Sequence, residues 1–223
     1  MRPTAPQEPE GGPPPSDRRG RRRSATRERL LAAALELFAA QGYAATTYDH
    51  IAERADAGRQ TAFNHFRRKE DFVAAWLRQR HELLDRRDQA DASDGRTAVE
   101  ALAGELRALA ELNERDYALS KELHDDGVLY SAFALGTATP RAFAATAARG
   151  RRNGEIRADL DPEDVADLVF DCYSTTLNRW LHRDGGFPLA DALLARLAVL
   201  TTGFAAPSPA PVPLGDAAPE REG

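Results

Sequence analysis

Between Thr47 and Phe72 the chain reads TYDHIAERADAGRQTAFNHFRRKEDF, and no other stretch restricts the fold as tightly. Thr47 is a good N-cap, because its hydroxyl can accept from a backbone N–H two or three residues on. Ile51, Ala52 and Ala55 then follow at helical spacing. Asp56-Ala57-Gly58 breaks the pattern, and both outer residues suit a turn: Gly tolerates positive φ and Asp bonds its own backbone. The spacing predicts a second helix over 59–66, with Ala62, Phe63 and Phe66 as its buried edge. Arg59, Gln60, Thr61, Asn64 and His65 are left to face outward. Arg can pair with guanine, Gln and Asn with adenine, and Thr can touch a thymine methyl. Two short helices, a tight turn and a polar second helix are how a protein offers a helix to the major groove. A solvated helix hairpin of no special function satisfies the same periodicity.

The preceding stretch Thr26–Gln41, TRERLLAAALELFAAQ, is rich in Ala and Leu with no internal Gly or Pro. Leu30, Ala34, Leu37 and Phe38 form a stripe that can pack on the next two helices, and Gly42 is a natural residue to end the first. Residues 24–70 therefore read as a three-helix DNA-binding unit. The pieces LELFAAQGYAATT (35–47), IAERA (51–55), TAFNHF (61–66) and RRKEDF (67–72) resemble the TetR-type transcriptional repressors, about a fifth of the chain without a gap. The resemblance implies an all-α protein in which a homodimer binds a palindromic DNA operator and a larger helical domain senses a small molecule. It further implies phosphate contacts from Thr47 and Lys69 and base contacts from within 59–65. Two positions depart from the family pattern. Gly58 stands where a Ser often caps the recognition helix, and Phe63 stands where Tyr often puts a hydroxyl on phosphate. Phe63 is accordingly expected in the core.

Charge is divided to suit this plan. Residues 18–72 hold 12 Arg/Lys against 7 Asp/Glu, while residues 73–223 hold 17 against 25. The basic end suits phosphate and the acidic body is held off it. Residues 1–23 and 206–223 are expected to be disordered tails, since their Pro-, Gly- and charge-rich composition buries too little apolar area to offset ordering. The first tail ends in RRGRRRS, whose Arg21, Arg22 and Arg23 form either a solvated arm or one that meets DNA. One cysteine excludes an intrachain disulfide and suits the cytoplasm. No apolar run is long enough to span a membrane, and no secretory signal pattern is present.

The rest, 71–205, is helical by pattern and is expected to hold the ligand and the dimer contact. Helices are expected over 69–89, 96–113, 116–126, 128–135, 141–152, 162–182 and 189–204, with no sheet. Asp161-Pro162 reads as an N-cap followed by the first helical position. The last two helices carry wide apolar stripes, which suggests two partners: the chain's own core and a second subunit in a four-helix bundle. Cys172, Trp180, Leu193, Leu197 and Leu200 are the expected interface residues. Tyr117, His124, Tyr130, Phe133 and Tyr173 are candidates to line an effector pocket. No cofactor or metal is expected. The competing class is an all-helical metal phosphohydrolase built on His124-Asp125-Asp126, which would need further His and Asp ligands. No G-x-S-x-G, P-loop or H-E-x-x-H motif accompanies it.

Overall fold

The computed structural model describes residues 15–91, 95–129 and 140–204. Among them are nine helices and no strand: α1 (Pro15–Gln41), α2 (Tyr48–Arg54), α3 (Arg59–His65), α4 (Glu70–Asp91), α5 (Ala98–Arg115), α6 (Tyr117–Asp125), α7 (Arg141–Arg152), α8 (Pro162–His182) and α9 (Leu189–Phe204). The all-α reading therefore holds, with a three-helix N-terminal unit and a larger helical body. No described helix is long and apolar enough to cross a membrane.

The expectation of a disordered tail over 1–23 needs correction. Residues 15–23 are the opening turns of α1. Arg is a good helix former, and the single Gly20 costs only about 1 kcal/mol. Extending a helix already formed over 24–41 also needs no new nucleus. Residues 1–14 and 205–223 lie outside the described residues. So do 130–139, which include Tyr130, Phe133 and most of the helix expected over 128–135.

Local rules account for the N-terminal unit. Leu30, Ala34 and Phe38 of α1 bury against Ile51 of α2 and Ala62 of α3. Phe66 and Phe72 stack at 3.9 Å between ring centroids and close this small core from the α4 side. Asp56, at φ 47°, takes the left-handed turn between α2 and α3, and Ala57 N–H bonds Ala52 O at 2.9 Å.

In the body, α5 packs on α4, α6, α7 and α9, while α8 lies against α6, α7 and α9. Asp161 caps α8, its carboxylate accepting from Glu163 N–H at 2.9 Å, and Pro162 opens the helix as expected. Gly150 sets the closest approach: a Cβ there would sit 2.5 Å from the Cβ of Ala98, so α7 can lie on α5 only without one.

His81 of α4 packs edge-on to Phe170 of α8, and burial drives its pKa down to about 4, with Arg80 acting in the same direction and Asp85 against it. The unfolded imidazole titrates near its ordinary value, about 6.5. Between those two values the unfolded chain binds the extra proton, so stability rises with pH across that window. Acidifying from neutral to about pH 4 should remove up to about 3 kcal/mol through this residue. Denaturant titrations of the native chain and His81→Phe check this, and a variant with the same acid sensitivity would discount it.

Candidate nucleic-acid interface and effector body

On α3 the outward positions are as expected, with one exception. Arg59 is well exposed, its Nε 3.5 Å from Asp49 Oδ1. Gln60 Nε2 donates to Asn64 Oδ1 at 3.1 Å, so these two amides are held side by side. Thr61 is exposed beside them. His65 is the exception: it is half-buried, its carbonyl accepts from Arg27 Nη1 at 2.8 Å, and the Arg27 guanidinium lies over the Phe66 ring. Burial, with Arg23 and Arg27 nearby, lowers its pKa.

Phe63 was expected in the core and is instead 48% exposed. Ala62 and Phe66 lie one turn apart on the face toward α1. Phe63 is rotated about 100° from Ala62, which carries it off that face. Its ring sits 6.0 Å from that of Tyr48. The polar helix thus carries one exposed aromatic ring.

Thr47 caps α2 reciprocally with His50. The Thr47 hydroxyl accepts from His50 N–H at 3.3 Å, and the Thr47 N–H donates to His50 Nδ1 at 3.4 Å. Thr47 remains exposed, and an accepting hydroxyl keeps its own hydrogen to donate. Arg21, Arg22 and Arg23 are exposed on the first turns of α1, and Arg23 is near enough to His65 to act on its pKa. The three arginines therefore stand on a helix, with Arg23 near α3.

Lys69, expected at phosphate, is occupied elsewhere. Its Nζ donates to Tyr43 O at 2.6 Å, Thr46 O at 3.2 Å and Ala44 O at 3.4 Å, and it lies 4.2 Å from the centre of the Tyr43 ring. An ammonium has three donors, and these carbonyls leave none over. Lys69 ties the turn after α1 to the start of α4.

That turn is also gripped from the body. Glu122 Oε1 accepts from Tyr43 N–H at 3.3 Å, and Asp126 Oδ2 accepts from Ala44 N–H at 3.2 Å. Gly42, at φ +92°, faces the same carboxylate: a Cβ there would be 2.8 Å from Glu122 Oε1. Farther along α6, Lys121 reaches Asp184 beyond α8 at 3.3 Å, and His124 Nε2 meets Asn178 Oδ1 of α8 at 2.9 Å. The helix α6 therefore links the DNA-binding unit to α8.

The described members of the expected pocket are each engaged by neighbouring side chains. Tyr117 packs edge-on to Trp180. Tyr173 is buried, its hydroxyl accepting from Asn113 Nδ2 at 2.9 Å. The two ring nitrogens of His124 face Asp125 and Asn178. Among the described residues no three His, Cys, Asp or Glu form a group able to hold a metal ion.

The expected interface residues also need correction. Leu193, Leu197 and Trp180 are buried inside their own protomer, Trp180 donating from Nε1 to Phe187 O at 2.9 Å. Leu200 and Cys172 are half-buried. The apolar surface that remains carries Leu168, 48% exposed, and Val199, 71% exposed. They flank a groove of about 350 Å³ between α8 and α9, floored by Leu160, Val165 and Leu200.

Similarity to known proteins follows the same division. Residues 30–76 match the family profile described as bacterial regulatory proteins, tetR family. The chain is 47% identical over 53 residues to the HTH-type transcriptional regulator TcmR of Streptomyces glaucescens, a match covering 24% of each protein. It is 27% identical over 202 residues to MftR of Mycobacterium tuberculosis, a transcriptional regulator provisionally assigned to mycofactocin biosynthesis; that match covers 86% of this chain and 97% of MftR. A crystal structure of Thermus thermophilus FadR, a TetR-family repressor in complex with lauroyl-CoA, superposes with a TM-score of 0.68 and 28% identity, covering 85% of this chain and all of that one.

Proposed function

We propose that this chain, whose residues 30–76 match the tetR family profile and which is similar to TetR-type transcriptional regulators, acts as a homodimeric repressor that binds a palindromic operator and leaves it when a small molecule occupies the helical body. The observation that carries this reading is α3: an exposed row of Arg59, Gln60, Thr61 and Asn64 on a helix whose opposite side is core. Those side chains match base edges, while the exposed Thr47 hydroxyl and the arginines of α1 suit phosphate. Two such helices related by a two-fold axis would enter successive major grooves about 34 Å apart.

For the dimer we propose the face of α8 and α9 that carries Leu168, Cys172, Val199 and Leu200. Exposed leucine and valine beside an apolar groove are what a second copy of the same face would cover. The effector is proposed to be an acyl compound, because the similar FadR was solved with lauroyl-CoA. The protein would work in the cytoplasm, where its DNA is.

An operator can be selected from random duplex with the full-length protein. Arg59→Ala or Asn64→Ala should then weaken specific binding by about 1–3 kcal/mol and relax preference at one position per half-site. If either variant lost affinity equally for the selected and a random duplex, α3 would not be reading bases.

A further inference from the structure

Phe63 is 48% exposed, on a helix whose other outward positions are polar. Among the described residues of the DNA-binding unit it is the one large apolar side chain so exposed. Helical pitch fixes its place. At about 100° per residue, Phe63 falls about 40° round the axis from Arg59 and about 60° short of Gln60, one turn beyond them. It therefore stands between two members of the outward row, on the side toward α2. Arg59 marks that side, its Nε 3.5 Å from Asp49 Oδ1. The Phe63 ring lies 6.0 Å from that of Tyr48. Tyr48 is anchored in turn, its hydroxyl donating to Phe66 O at 2.7 Å.

Chemistry narrows what this ring can meet. A phenyl group has no donor for a phosphate oxygen and no polar atom for the hydrogen-bonding base edges. Lodged against phosphate, it would strip water from an anion and return nothing. The polar pattern along the major groove is interrupted by one apolar group, the C5 methyl of thymine. A helix that presents Arg59, Gln60 and Asn64 to base edges brings Phe63 into the same groove with them.

We propose that Phe63 specifies a thymine in each half-site of the operator by packing its ring on the C5 methyl. The proposal rests on the reading that α3 enters the major groove, and it adds a base preference that the polar row does not supply. Cytosine, which carries only hydrogen at C5, would leave the ring facing a gap. The thymine should neighbour the base pairs met by Arg59 and Gln60, because Phe63 lies between those side chains.

The test uses an operator selected from random duplex with the full-length protein. Each symmetric pair of its thymines is replaced in turn by deoxyuridine, which removes the methyl and keeps the pairing, and affinity is read by fluorescence anisotropy. At least one pair should be sensitive: losing both methyls should weaken native binding about 15-fold, about fourfold for each. Phe63→Ala should bind the thymine operator more weakly by at least as much, and should not distinguish thymine from deoxyuridine at that pair. Its melting should stay near that of the native chain, since the ring is half open to water. Phe63→Gln, which also suits a helix, takes its place if the alanine variant does not fold. A selected half-site without thymine, an operator indifferent to every methyl, or a methyl dependence that persists undiminished at every sensitive pair in Phe63→Ala would overturn the proposal. So would a Phe63→Tyr protein that gains affinity equally on selected and random duplex, because the ring would then stand at the phosphates. If Arg59→Ala lowers affinity for the operator alone while no methyl matters, base reading by α3 survives and only the role of Phe63 falls. A native protein that enriches no operator would sink both.

Discussion

Leu193→Asp is expected to unfold the body of the protein, not to yield a folded monomer. Leu193 is fully buried and belongs to the side of α9 that packs on α5 and α8 of its own chain. An isolated carboxylate there has no partner, and the effective cost of burying one is several kcal/mol. A domain of this size has roughly 5–15 kcal/mol of stability in all. The variant should lose its cooperative thermal transition or go insoluble. Val199→Asp is the contrasting change. Val199 is 71% exposed in the single chain, so the protomer should melt as before while the dimer weakens. Light scattering alongside calorimetry separates the two, and a Leu193→Asp protein that is monomeric yet melts normally would show that the inner side of α9 had been misassigned.

Lys69→Met should loosen the DNA-binding unit itself, and its signature differs from that of a lost phosphate contact. The ammonium bonds three backbone carbonyls and lies on the Tyr43 ring. Bonds to a charged group are each worth about 1.5–3 kcal/mol when well sheltered. These are partly open to water, so about 2 kcal/mol for the set is the expected loss of stability. The three carbonyls would turn to solvent and the junction of α1, α2 and α4 would loosen. DNA affinity should fall on all sequences, and the slope of affinity against salt should stay nearly unchanged. A residue neutralising a phosphate would instead lower that slope by about 0.9. A shallower slope with unchanged melting would return Lys69 to the phosphate backbone.

The DNA-binding unit was legible because its determinants are local. The Thr47 cap, the Asp56–Gly58 turn and the Ala62–Phe66 spacing all act within a few residues, and each is realised. The body was legible as helices and much less so as contacts. A wide apolar stripe tells how much of a helix is covered, not by which neighbour, so Leu193 and Trp180 read like interface residues although their own chain buries them. The roles of Lys69, Glu122 and Asp126 were hidden for a different reason. Their partners are backbone groups at residues 43–46, up to 82 positions away, and a backbone N–H or C=O leaves no mark in a sequence. The Asn113–Tyr173 bond spans 60 positions and was equally unreadable. Phe63 was misplaced through its chemistry: an aromatic beside Ala62 suggested core, but the geometry of two short turns leaves it outside.

The grip on the turn after α1 bears on how such proteins can be recombined. A chimaera cut after Lys69, joining this DNA-reading unit to another sensor, would carry the carbonyls and their lysine but leave both body carboxylates behind. The turn would then keep its shape and lose its connection to the body, so, on the proposed function, such a chain should still bind its operator but no longer release it when ligand binds. A cut between Gly42 and Lys69 would divide the clamp itself. The transplantable piece is thus a discontinuous set: 42–46, Lys69, Glu122 and Asp126, with a residue at 42 that has no side chain to strike the carboxylate.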